Sequence, residues 1–448
     1  MTASTPKIGL VGMALPGLFM GEEMCPQKFA EVKAVLQREG YEVMCPAEPC
    51  VYAAEDARSA GEELAAMDVD CLVVALTTFV ADYFITELLK GCDKPVFLWA
   101  IDREIHCIPM VCTPLITASL YNLKKDCCVC AGEVNDPYTL QKLSVYSRAA
   151  MLRGNLRRAR VGYCGYKPVV MYSMEANAYL LDKHLGVTVI PIPVEEFYQI
   201  AQGIETERVK EVCNDVTARV GCMDVRTEDL ELSARFYLAA KEQVANYKMS
   251  AYSLNCFPHL KAKICLGIAL LNDEGIGAGC EGDIHASILM YLAECLTGKA
   301  AFNGDFLKLY PEKNQVMFSH CGAGAFSLAC NCQKVCLKKS AETCDGVGVF
   351  YPTSMPGKVT LINLMNGLDD LRMSCIVANS VEDVSGYEGN PMTLDFGEDA
   401  DVRSLPDILA QAGAGHHWIG LQGDFRETFA MLARMCGISF TDIRPNEK

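Results

Sequence analysis

Glu281 and Asp305 stand 24 residues apart, in the turns "GCEGD" and "FNGDF". His320 follows in "FSHCGAGA", and "GAGHH" supplies His416 and His417 far along the chain. Carboxylates mixed with imidazoles form a donor set suited to a divalent cation. A carboxylate pair can also move a proton between neighbouring carbons. One such acid alone would read as a helix cap or a solvated turn; the set together points to a site.

A competing reading attaches to the same stretch. Residues 277–282, "GAGCEG", fit G-x-G-x-x-G, and Asp305 follows at roughly the distance of a ribose-binding acid. That fingerprint needs a well-formed strand before it, yet only Gly275 and Ile276 separate it from a helical pattern. Glu281 and Asp283 would also lie where a pyrophosphate must approach the helix N-terminus. Two carboxylates there repel a phosphate diester and attract a cation.

The elements that position these residues follow from periodicity. "HLKAKICLGIALLNDEG" places Leu260, Ile264, Ile268 and Leu271 on one helical face, closed by Gly275. "IGAGC" then reads as a short strand ending at Glu281. Asp283 is placed to cap the helix "IHASILMYLAECLTG". "AAFNG" reads as a strand delivering Asp305, and "QVMFS" as one delivering His320. Three successive strand ends thus carry the candidates, and their succession suggests neighbouring strands at the edge where open α/β sheets bind ligands. His106, His184, His259 and His285 have no comparable context, although His259 in "CFPHL" starts the first helix.

The rest of the chain supplies the frame. Residues 1–155 alternate apolar strands ("KIGLVGMA", "DCLVVAL", "PVFLWA") with helical patterns, which predicts a parallel sheet covered on both faces. The basic stretch "MLRGNLRRARVGYCGYKP" reads as a solvated linker or a subunit contact, with a phosphate- or sulfonate-binding role as the alternative. Residues 156–342 restart an α/β pattern that carries Glu281 and Asp305. Residues 343–448 hold short strands between Gly, Pro and Asn turns, a β-rich domain with the histidine pair. Asp424 and Glu427 open a final helix that stops at Gly437.

Composition excludes several classes. With a net charge of −16 and no basic stripe, a nucleic-acid partner is not expected. Apolar runs such as "CLVVALTTFV" are too short to span a bilayer, and the N-terminus lacks a signal-peptide pattern, so the expectation is a cytoplasmic protein. The 24 cysteines follow no framework spacing and read as reduced, buried thiols. The clusters "CCVC" and "CNCQKVC" lack a paired C-x-x-C.

"NDEGIGAGCEGDIHASILMYLAECLTGKAAFNGDF", "FSHCGAGAFSLA" and "GAGHHWIGLQGDFRETFAMLARMCGI" together resemble the L-fucose isomerase / L-arabinose isomerase superfamily. The resemblance implies two Rossmann-like α/β domains with parallel sheets and a β-rich, barrel-like C-terminal domain. It also implies an aldose–ketose isomerase working through a cis-enediol, with Mn²⁺, Co²⁺ or Mg²⁺ held by Glu281, Asp305 and His416. Glu281 and Asp305 would be the catalytic acid and base, while His320, Asn255 and His417 would face the substrate. The expected substrate is a deoxyhexose, a pentose or a 6-substituted hexose such as a sulfonated one. A homo-oligomer, trimer or hexamer, with sites at subunit interfaces is implied too. Relatives tend to have "R-C-W-P" where this chain has "NCFPH", which leaves the sugar open. The rival readings are a metal-dependent sugar-acid aldolase or lyase, a noncatalytic sugar-binding protein and an NAD-dependent oxidoreductase.

Overall fold

The computed structural model describes residues 3–17, 22–101, 107–329, 331, 334–339, 345–383 and 385–447. The chain divides into two compact units, residues 5–154 and residues 155–448 with the first four residues.

In residues 5–154 a parallel sheet runs β2 (Glu42–Met44), β1 (Lys7–Met13), β4 (Cys71–Leu76), β5 (Val96–Ala100), β6 (Cys127–Ala131), with β3 (Cys50–Val51) also paired to β1. All six residues of β4 and all five of β5 are buried. A strand apolar on both faces is stable only between two helical layers, as the unbroken hydrophobic runs predict. "CCVC" lies on the edge strand β6, where Cys128 and Cys130 are buried and Cys127 is half-buried. No metal-ligand group forms there among the described residues.

A second parallel sheet, in residues 155–448, has the order β11 (Gly277–Gly279), β10 (Ala251–Leu254), β7 (Arg160–Cys164), β8 (Thr188–Ile192). The basic stretch expected as a linker is instead regular structure. It comprises the end of the helix Pro137–Arg158 followed by β7, because its apolar residues, Leu152 and Leu156 among them, are fully buried. The helical pattern expected from His259 starts only at Cys265, and the residues before it form turns.

The β-rich part is a sheet ordered β16 (Gly357–Asn366), β20 (Trp418–Gln422), β12 (Phe302–Tyr310), β13 (Gln315–Ser319), β18 (Met392–Asp395), β17 (Leu371–Val381), β21 (Ser439–Asp442). An additional β16–β17 pairing turns the strand order back on itself. Smaller pairings join β14 (Cys336–Lys338) to β9 (Cys222–Asp224) and β15 (Gly348–Phe350), and β19 (Ala400–Asp401) to β22 (Asn446–Glu447). Cys222 and Cys336 are disulfide-bonded, an exception to the expectation of reduced thiols that arises because the β9–β14 register sets them opposite each other. Cys330 and Cys332 lie outside the described residues, so the "CNCQKVC" cluster is described only through Cys336.

The helix Ile284–Thr297 ties the two sheets of this unit together. It packs on β10 and β11 on one side and on β16 and β20 on the other. Ten of its fourteen residues are buried, which explains why its sequence is apolar nearly all round. Truncating Leu289 or Leu292, each 1% exposed, would cost about 2–5 kcal/mol. Among the described residues no helix is long and apolar enough to cross a membrane.

Candidate metal centre

The centre lies where the parallel sheet's carboxyl edge meets the β-rich sheet. A Cβ on Gly277 would fall 2.5 Å from the Tyr291 backbone nitrogen, so glycine lets β11 lie directly against the helix Ile284–Thr297. The glycine pattern thus serves helix–strand packing. After β11 the chain turns through two left-handed residues, Glu281 at φ +61° and Gly282 at φ +67°. A non-glycine residue in this region costs about 1 kcal/mol or more, and such strain concentrates at working sites. The Gly282 N–H donates to the Leu254 carbonyl at the end of β10, which fixes the turn.

Asp283 holds two parts of the centre at once. Its Oδ1 accepts from the Ala286 N–H at 2.9 Å and caps the helix, while Oδ2 lies 2.9 Å from Nδ1 of His417. Burial pushes this carboxyl up, but the His417 hydrogen bond and the nearby imidazoles outweigh it and hold the pKa near about 2. An ionised Asp283 fixes His417 as the Nδ1–H tautomer, which leaves Nε2 as a lone-pair donor facing the centre.

The remaining donors arrive from the β-rich sheet. The three-strand expectation needs correction here. Glu281 follows β11 in one sheet, whereas β12 and β13 are antiparallel neighbours in another. Asp305 is not at a strand end: β12 runs on to Tyr310, and Asp305 sits opposite Ser319. Locally "GKAAFNGDF" has the pattern of a short strand and turn, whereas the extension through Lys308, Leu309 and Tyr310 is carried by pairing across β13.

The structure brings Glu281, Asp305, His320, His416 and His417 together. Ligand atoms of Glu281, His320 and His417 lie within 4.8 Å of one another, as do those of Asp305, His416 and His417. Glu281 Oε2 is 3.6 Å from His416 Nε2 and 3.5 Å from His417 Nε2, and His320 Nε2 is 3.9 Å from Asp305 Oδ2. Those gaps are long for hydrogen bonds but suit donors around one ion, which at about 2.1 Å from each would sit among atoms about 3–4 Å apart. Glu281 Oε2 and Asp305 Oδ1 are buried with no hydrogen-bond partner. Two such carboxylate oxygens are costly unless a cation compensates them, so the residues fit a divalent metal.

Electrostatics support the same reading. Burial raises the Glu281 pKa, but the adjacent His416 and the charges of His417 and His320 bring it below the usual value. His416 is raised, chiefly by Glu281. Behind the imidazoles lies sulfur: Cys280 and Cys321 Sγ approach His320 at 3.7 and 3.4 Å.

Asn255 follows β10 and is half-buried, with its amide oxygen accepting from the Phe257 N–H at 3.1 Å. His259 is exposed, and His106 lies outside the described residues. His285, which its sequence context did not single out, is buried, with Nδ1 3.9 Å from Asp283 Oδ1. The sequence pattern of Asp283 points only to a helix cap. Its second role needed the fold, since His417 is 134 residues away.

No family model matches the chain. The chain is 24% identical over 382 residues to a sulfoquinovose isomerase of Priestia aryabhattai, covering 83% of this chain and 84% of that protein. A sulfoquinovose isomerase of Clostridium sp. is 26% identical over 321 residues, 68% of this chain and 69% of the relative. An L-arabinose isomerase of Nocardioides sp. is 24% identical over 330 residues, 68% and 64% of the two chains. With the α/β sheets and the β-rich region described above, these similarities support an isomerase enzyme and are consistent with the L-fucose / L-arabinose isomerase superfamily that the motifs resemble. A sulfoquinovose isomerase of Alkalicoccus urumqiensis is also similar, 22% identical over 397 residues, 84% of this chain and 86% of that protein.

Proposed function

We propose that this chain is a metal-dependent aldose–ketose isomerase acting on a sulfonated hexose of the sulfoquinovose type. The observation that carries the metal dependence is the pair of overlapping ligand triads with two buried, unpartnered carboxylate oxygens. The substrate class rests on the similarity to sulfoquinovose isomerases over most of the chain.

Glu281 and Asp305, with His416 and His417, would hold the ion. When bound, a divalent cation supplies a fixed positive charge that offsets the negative charge developing on two adjacent sugar oxygens. The carboxylate pair carries the carbon-bound proton: one of Glu281 and Asp305 removes it from C2 of the aldose and a proton is delivered to C1, through a cis-enediol, while the O2 hydroxyl loses a proton and O1 gains one. No atom is gained or lost, so aldose and ketose are isomers. Asp283 holds His417 in one tautomer, and His320, buried beside Asp305, positions the sugar oxygens. Mn²⁺ is the expected ion for this oxygen-and-nitrogen donor set, with Co²⁺ and Mg²⁺ as substitutes. A homo-oligomer is part of the proposal.

The test is incubation of the metal-loaded protein with sulfoquinovose, monitored by NMR. Ketose formation supports the reading; cleavage into fragments would instead favour an aldolase.

A further inference from the structure

A sulfonated sugar brings a permanent negative charge to a protein whose own net charge is −16. Such a substituent needs a local cation that does not depend on the surrounding field. Among the described residues of 155–448, Lys167 is the one lysine or arginine side chain that is buried, at 8% exposure.

Its position follows from the sheet. Strands β7, β10 and β11 are consecutive neighbours, and their carboxyl ends lead into Lys167, Asn255 and Glu281 respectively. Two strand spacings, about 10 Å, separate the line of β7 from that of β11. The chain after β7 bends back over that edge. A Cβ on Gly282 would meet the Tyr166 carbonyl at 3.1 Å and the Lys167 Cα at 3.3 Å. The lysine is therefore built onto the same turn that presents Glu281.

The ammonium is held in an unusual way. It lies 5.4 Å from the ring centroid of Tyr166 and 5.2 Å from that of Tyr172. Its carboxylate partner, Glu175, is 3.6 Å away and half exposed, and is itself hydrogen-bonded by the Tyr166 hydroxyl at 2.6 Å. Aromatic faces stabilise the charge without using up its N–H donors. A loose, solvated carboxylate is a counter-ion that an incoming anion can displace.

Resting on the isomerase reading above, we infer that Lys167 is the specificity-determining residue that recognises the anionic substituent at the end of the sugar remote from the metal. Its N–H groups donate to sulfonate oxygens, and Glu175 moves off toward solvent. Tyr166 and Tyr172 position the ammonium.

The experiment compares wild type, Lys167→Met and Lys167→Arg on sulfoquinovose and on 6-deoxyglucose, the same ring without the sulfonate. A charge-assisted hydrogen bond predicts that Lys167→Met loses about 10- to 100-fold in kcat/KM on sulfoquinovose, mostly through KM. Activity on 6-deoxyglucose and metal content should stay at wild-type level, and Lys167→Arg should recover part of the loss. Equal loss on both sugars, or none on sulfoquinovose, overturns the inference while leaving the isomerase standing. A wild type that turns over neither sugar is a separate failure: it overturns the isomerase reading and the inference with it.

Discussion

Replacing Asp283 should damage stability and metal retention together, because one carboxylate does two jobs. Asp283→Ala removes the cap on the Ala286 N–H, worth about 1 kcal/mol. It also leaves the buried Nδ1–H of His417 unpaired, which costs a further 1–3 kcal/mol or so. The expected loss is about 2–4 kcal/mol. Trp418 directly follows His417 and is buried, so its fluorescence reports on residues 155–448 in a Trp99→Phe background. The urea midpoint followed this way should fall by about 1 M. Asp283→Asn, which keeps an oxygen for the cap, should lose less stability but still bind metal at least about 10-fold more weakly, since the charge that fixes the His417 tautomer is gone. An Asp283→Ala protein with an unchanged midpoint and full metal content would refute this coupling.

Other expectations concern single residues. Glu281→Gln and Asp305→Asn should each lower bound divalent metal and cut isomerisation by at least about 1,000-fold, read by elemental analysis and by ketose formation. Gly282→Ala should strain a residue at φ +67° and push against the Tyr166 carbonyl; destabilisation by about 1–3 kcal/mol with reduced metal affinity is expected in denaturation and titration. Burial raises Glu294 to about 7, so the fold favours its neutral form. That contribution is fully present below about pH 4.5 and is lost as pH rises through about 7. Glu294→Gln should therefore match wild type near pH 4.5 and exceed it by about 1 kcal/mol at pH 8, after allowance for partial solvent screening; equal stability at both pH values would contradict this.

Much of this was legible in the residues. The continuous apolar strands of residues 5–154 could only be a covered parallel sheet, and Asp283 and Gly298 bracket their helix as their types require. The five donors were also visible, because carboxylates and imidazoles in glycine turns have few structural uses. What local pattern could not convey was partnership. That β11 and β12 belong to different sheets is set by pairings over long sequence separations, and the extent of β12 depends on β13. The Asp283–His417 contact and the place of Lys167 beside Gly282 likewise exist only once the helix Ile284–Thr297 is clasped between two sheets. Lysine at 167 looks like any surface lysine until its burial is known.

The most direct test of the central claim is isomerisation of sulfoquinovose in deuterium oxide by protein stripped with chelator and then reloaded with Mn²⁺. The account predicts no product from stripped protein, ketose on reloading, and solvent deuterium at the carbon that receives the proton whenever exchange competes with return. Full activity in the stripped protein, or no ketose after reloading, would contradict it.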